Sequence, residues 1–225
     1  MSIGGYIKTS FVDYPGKIAT TIFLSRCNFR CPYCQNPELV LDSAAFPVDF
    51  KEIIEYLKKS QHLIDAVCFS GGEPTIDPQL SEYIAQVKGL GFLIKLDTNG
   101  SDPEILQSLP INYLALDIKT IPEKYTALTT IPEIESKITR TINYLINEAS
   151  FEYEFRTTLV PGLVDENDMH TIGKLIQGTK KWFLQQFRNT STLDPSYKTV
   201  QPFSTKEIQK LVEIAKQYVP GTFSR

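Results

Sequence analysis

Apolar and polar positions fall in alternating blocks along the chain. Runs rich in β-branched and aromatic residues occur at IATTIFLS (18–25), IDAVCFS (64–70), FLIKLDT (92–98), YLALDIK (113–119), YEFRTTLV (153–160) and KWFLQQF (181–187). Such apolar, β-rich runs predict strands. Helical spacing fills the gaps. It predicts helices over 48–62, 78–91, 103–109, 134–149, 166–179 and 205–219. Six strand-then-helix units with short connections predict an α/β fold with a parallel sheet, and no Pro/Gly/Ser linker divides the chain. Six units fall short of a closed eight-strand barrel. Periodicity leaves both an open partial barrel and a doubly wound sheet standing. Either would gather its working residues at the C-terminal ends of the strands.

Those ends are polar. Asp97, Thr98 and Asn99 stand at the end of the third predicted strand, Asp117 and Lys119 close the fourth, and the fifth carries Arg156. The second ends in Ser70-Gly71-Gly72-Glu73-Pro74-Thr75, where two glycines let a backbone approach a ligand closely. The first runs straight into SRCNFRCPYCQNPEL (25–39), which holds Cys27, Cys31 and Cys34, three of the four cysteines in the chain. The fourth, Cys68, sits inside a predicted strand and reads as a small core residue. The polar stretch 187–203 is long for a connection, either a functional lid or a mobile linker.

Composition narrows the chemistry. A net charge of −3 gives no overall nucleic-acid footprint, although a local basic groove stays compatible with it. No apolar run approaches the roughly 20 residues of a membrane span, and the first residues lack a secretory pattern. The expectation is a cytoplasmic protein without nucleic-acid or membrane partners. Thiols stay reduced there, so clustered cysteines point to metal or redox chemistry before disulfides. Zinc would want a fourth Cys or His, and the two histidines, His62 and His170, fall on predicted helices away from the loop. A [4Fe–4S] cluster also takes four ligands, so three cysteines would leave one iron open to a small molecule.

The C-x3-C-x2-C spacing, with Tyr33 just before the third cysteine and GGEP after the second strand, resembles the radical S-adenosylmethionine (SAM) superfamily. VDYPGK, CQNPEL, DTNG, LDIK, RTTLVPG and LQQFR extend the likeness to glycyl-radical enzyme activases, most of all the type serving anaerobic ribonucleoside-triphosphate reductase. The resemblance implies a single 225-residue domain, a partial (β/α)6 TIM-type barrel with parallel strands, open on one side. It implies a [4Fe–4S] cluster on Cys27, Cys31 and Cys34, with SAM on the fourth iron. It implies that SAM is cleaved to a 5′-deoxyadenosyl radical, which takes hydrogen from a glycine of the partner enzyme. Tyr33, Gly71, Gly72, Glu73, Asp97, Asn99, Asp117, Lys119 and Arg156 become cofactor-binding candidates. Asp97, Thr98 and Asp117 match positions able to hold a monovalent cation, and Asp13 matches an acid near the substrate peptide. Asp13 and the 189–203 loop are expected to wall the entry for that peptide. A flavodoxin or ferredoxin is implied as electron donor.

One stretch departs from the pyruvate formate-lyase type: VQPFST (200–205) lacks its histidine. No cysteine-rich insert follows the first loop, so no auxiliary cluster is expected. Three other readings compete: a pyruvate formate-lyase-type activase, a radical SAM enzyme acting on a small molecule as carboxy-deazaguanine synthases do, and a non-catalytic zinc-binding interaction module.

Overall fold

The computed structural model describes residues 3–43 and 48–225. In chain order the strands are β1 (Ile3–Ser10), β2 (Ala19–Leu24), β3 (Ala66–Gly71), β4 (Leu93–Thr98), β5 (Tyr113–Asp117), β6 (Glu152–Leu159), β7 (Trp182–Gln186) and β8 (Thr222–Ser224). The helices are α1 (Pro37–Val40), α2 (Phe50–Lys59), α3 (Leu80–Gly89), α4 (Pro103–Ser108), α5 (Ile134–Asn147), α6 (Glu166–Leu175) and α7 (Thr205–Lys216). All six strands and all six helices expected from the hydrophobic pattern are present. Two strands were not expected, β1 and β8.

The chain divides into two compact units. The first comprises residues up to Asn28, Glu38–Thr98 and Glu104–Leu114; the second comprises Phe29–Pro37, Asn99–Pro103 and Ala115 onward. In the first unit the strands follow chain order, β1 antiparallel to β2 and β2, β3 and β4 parallel. Residues 19, 66 and 93 stand in register, as do 21, 68 and 95. Side chains alternate across a strand, so each row faces one way. Ala19, Ala66 and Leu93 pack with Tyr14 and Tyr113, whose rings lie 5.5 Å apart. On the opposite face Ile22, Leu24, Val67, Phe69, Ile94 and Leu96 are almost fully buried. Burial on both faces explains the unbroken apolar runs. α2 begins where the Asp49 carboxylate accepts the Lys51 N–H, and its buried stripe is Phe50, Ile53 and Leu57.

In the second unit β6, β7 and β8 are parallel neighbours. Trp182 is fully buried, and its indole N–H donates to Thr157 Oγ1 at 3.0 Å, which satisfies the one polar atom of the ring. Capping boxes start α6 (Asp165 with Asp168) and α7 (Ser204 with Glu207).

Candidate active site

In the first unit, the glycines of GGEP are explained by a close backbone crossing. A Cβ on Gly72 would lie 1.8 Å from the Arg26 carbonyl oxygen and 3.2 Å from the Cys27 nitrogen. On Gly71, at φ +120°, it would lie 2.4 Å from the Leu24 carbonyl oxygen. The Gly72 N–H donates to Leu24 O and the Glu73 N–H to Arg26 O, both at 2.9 Å. The end of β3 therefore lies directly against the backbone that leads into Cys27. These two N–H groups serve the fold.

Glu73 is almost fully buried. Its Oε1 accepts from Thr75 N at 3.1 Å, Thr75 Oγ1 at 2.6 Å and Thr98 Oγ1 at 2.7 Å. It caps the short 3-10 helix Pro74–Ile76 and ties the end of β3 to the end of β4. Asp97 points to the other face of β4, where it pairs with Lys95 and accepts from Ser70 Oγ at 3.4 Å. The Thr98 and Asp97 side chains thus diverge. Asp13 lies in the turn after β1 and accepts from Thr21 Oγ1 at 2.6 Å, while its neighbours Phe11 and Val12 are exposed.

In the second unit, the distal part of the cysteine loop is held on several sides. The Cys34 N–H donates to Cys31 O at 3.0 Å, and the Arg30 N–H to Leu128 O at 2.7 Å. The Phe29 ring meets Tyr125 edge-on at 5.9 Å. The 187–203 stretch is neither an empty linker nor a lid standing clear. Its Asp194 N–H donates to Pro32 O at 2.9 Å, and Gln35 Nε2 donates to Arg188 O at 3.0 Å. Asp194 also caps a 3-10 helix over Pro195–Thr199, so the stretch is a buttress for the loop.

Asp117 stands between two cations. Arg156 Nε donates to its Oδ1 at 2.6 Å and Lys119 Nζ to its Oδ2 at 2.9 Å. Burial alone would raise the Asp117 carboxyl, but Arg156 first and Lys119 second hold it well below the usual range. Burial alone would lower Lys119, and Asp117 and then Cys31 hold it raised instead. Burial pushes the Cys31 thiol up, and the Lys119 ammonium opposes that push. Two cations thus flank this one carboxylate, and the Arg156 guanidinium has the planar fork that suits carboxylates. The Lys119 N–H donates to Tyr125 Oη at 3.0 Å, which sets the strand end against the loop's aromatic support. Asn99 does backbone work: its Oδ1 accepts the Ser101 N–H at 3.0 Å, an Asx turn.

The residues fit an iron–sulfur cluster. None of the four cysteines forms a disulfide. One hydroxyl, Ser25 Oγ, two residues before Cys27, is buried with no hydrogen-bond partner among the described residues. Orphaned buried hydroxyls call for a missing group. Among the described residues no three His, Cys, Asp or Glu side chains are already drawn into a metal cage, so the fit rests on the donor chemistry and the Ser25 hydroxyl. His170 is engaged elsewhere, its Nδ1 2.9 Å from Tyr218 Oη. His62 lies in the turn past α2 rather than on a helix. Sequence reasoning missed Lys95, Thr75 and Tyr125. Lys95 carried a signal, a single charge inside an otherwise apolar strand.

Comparison with known proteins meets this geometry. A sequence model described as the Radical SAM superfamily matches residues 21–175, and the chain belongs to that superfamily. Over 99% of its length it is 33% identical to a candidate glycyl-radical enzyme activating enzyme of Methanocaldococcus jannaschii, covering 95% of that protein. It is 28% identical to the pyruvate formate-lyase-activating enzyme of Listeria monocytogenes, over 92% of this chain and 83% of that one. Among solved structures, a radical SAM methyltransferase from Sphaerobacter thermophilus superposes with a TM-score of 0.68 at 16% identity, over 96% of this chain and 68% of that one. The fold is α/β with a mostly parallel, open sheet, consistent with a partial TIM-type barrel. The protein is an enzyme of radical chemistry, and its family uses a [4Fe–4S] cluster with SAM. That excludes the zinc-binding interaction module. No helix among the described residues is long and apolar enough to cross a membrane.

Proposed function

We propose that this chain is a radical SAM activase that installs a glycyl radical on a partner enzyme. The observation that carries the reading is similarity along nearly the whole of both chains to a candidate glycyl-radical enzyme activating enzyme. Its finer form names anaerobic ribonucleoside-triphosphate reductase as the partner. VDYPGK, CQNPEL and LQQFR support that choice over the pyruvate formate-lyase type, as does the missing histidine in VQPFST. Both compact units then serve one radical SAM domain, since the match at 21–175 draws on both. A cytoplasmic setting and a flavodoxin or ferredoxin donor go with the reading.

In this proposal Cys27, Cys31 and Cys34 hold the cluster. When bound, the cluster and SAM supply reductive cleavage to methionine and a 5′-deoxyadenosyl radical. The chain's own residues position and shield that chemistry. Gly71 and Gly72 let β3 lie against the loop backbone. Glu73 holds that strand end rigid through Thr75 and Thr98. Arg156, set by Asp117, presents a cation for the SAM carboxylate, and Lys119 supports thiolate character at Cys31. Asp13, on a turn with exposed Phe11 and Val12, meets the glycine-bearing segment of the partner.

The test is anaerobic EPR of the reconstituted protein mixed with SAM, a reductant and each candidate partner. A glycyl-radical signal on the reductase alone supports the finer reading. A signal on pyruvate formate-lyase alone keeps the class and changes the partner. The class fails if SAM is not cleaved, or if Cys31→Ala retains the cluster spectrum of the wild type.

A further inference from the structure

Lys95 is a buried cation without a part in the reading above. It sits in the middle of β4, beside Cys68 in register and one step along the same face from Asp97. Only 3% of its side chain is exposed. Its ammonium pairs with Asp97 Oδ1, lies 3.8 Å from Cys68 Sγ and faces the Tyr113 ring at 6.0 Å. An ammonium this deep needs such a partner, since burying an unpaired charge is very costly.

The pair bears on the monovalent cation that the family likeness suggests at Asp97, Thr98 and Asp117. Asp97 already holds an internal cation. The Thr98 hydroxyl turns to the opposite face and donates to Glu73 at 2.7 Å. Asp117, in the other unit, is matched by Arg156 and Lys119. Within the first unit, therefore, Asp97 and Thr98 do not fit a bound alkali ion. We propose that the Lys95 ammonium takes over the electrostatic role of that ion, so that this enzyme binds SAM without an added monovalent cation. The proposal rests on the SAM-binding part of the functional reading, and Lys95 acts in it as a positioning residue for Asp97.

The experiment compares potassium chloride with choline chloride at equal ionic strength. SAM affinity is read by equilibrium dialysis on the reconstituted protein, and potassium uptake by calorimetry on the protein without SAM. The wild type should change SAM affinity by less than about twofold and take up no potassium. Lys95→Met should bind SAM about tenfold more weakly in choline and recover most of that loss in potassium. Lys95→Met combined with Asp97→Asn should be indifferent to the cation again, which a purely structural lysine would not produce. Saturable potassium uptake by the wild type would overturn the proposal, as would a Lys95→Met variant that matches it in choline. If Lys95→Met does not fold, the wild-type titration decides alone. Absence of any SAM binding would defeat the functional reading, while potassium uptake would still score this one.

Discussion

Asp97 and Asp117 invite comparison because each meets a lysine two residues away along the chain. For Asp97 the lysine comes before it, deep in the strand. For Asp117 it comes after, just past the strand end. That offset decides the outcome. Lys95 is pulled into the interior, where it pairs with Asp97. Lys119 stays nearer the surface, at 18% side-chain exposure, and Asp117 takes a second cation from β6. One arrangement is buried in the strand. The other keeps a cation, Lys119, where the Cys31 thiol feels it.

The comparison can be broken at several points. Lys95→Met strips Asp97 of its cation and should cost the most, about 3–5 kcal/mol in a urea titration carried out in choline. Arg156→Met leaves Asp117 with Lys119, so it should cost less, about 2 kcal/mol against the same range for a fully stripped charge. It should nonetheless weaken SAM binding by about tenfold or more, read by dialysis. Acid titration sharpens the contrast further. The folded Asp117 carboxyl is held low, so its stabilisation is complete above the ordinary value near pH 4 and drains away as pH falls towards the lower folded value. Asp117→Asn should flatten that acid limb in a series of urea midpoints, and an unchanged limb would count against the network. The smallest effect belongs to Thr98→Val. Glu73 keeps its two Thr75 donors, so the loss should be about 1 kcal/mol with potassium independence unaltered.

Much of this was legible in the sequence, for identifiable reasons. Parallel strands covered on both faces leave apolar runs, and six of those runs became β2 to β7. β1 escaped because IGGYIKTS pairs antiparallel at one edge, carries two glycines and has most of its residues only partly covered. β8 is only three residues long. The cysteines and the Asp117, Lys119 and Arg156 set could be found because charges and thiols stand out at strand ends. What the glycines were for could not be read, since the crossing of Gly72 over Arg26 depends on three dimensions. Strand alternation puts Asp97 and Thr98 on opposite faces, but the family resemblance, which assigned both to one cation, outweighed it. Lid and linker both stayed open for the 187–203 stretch because its hydrogen bonds to Pro32 and Gln35 are long-range.

Those long-range bonds set a timetable for the newborn protein. Gln35 reaches a carbonyl 153 residues further along the chain, and Asp194 closes on Pro32 later still. At about 5–20 residues per second, the cysteine loop leaves the ribosome roughly 8–30 s before its buttress exists. In that interval the thiols are made but their support is not, so under the proposed function cluster insertion into the finished loop belongs after synthesis of the C-terminal third.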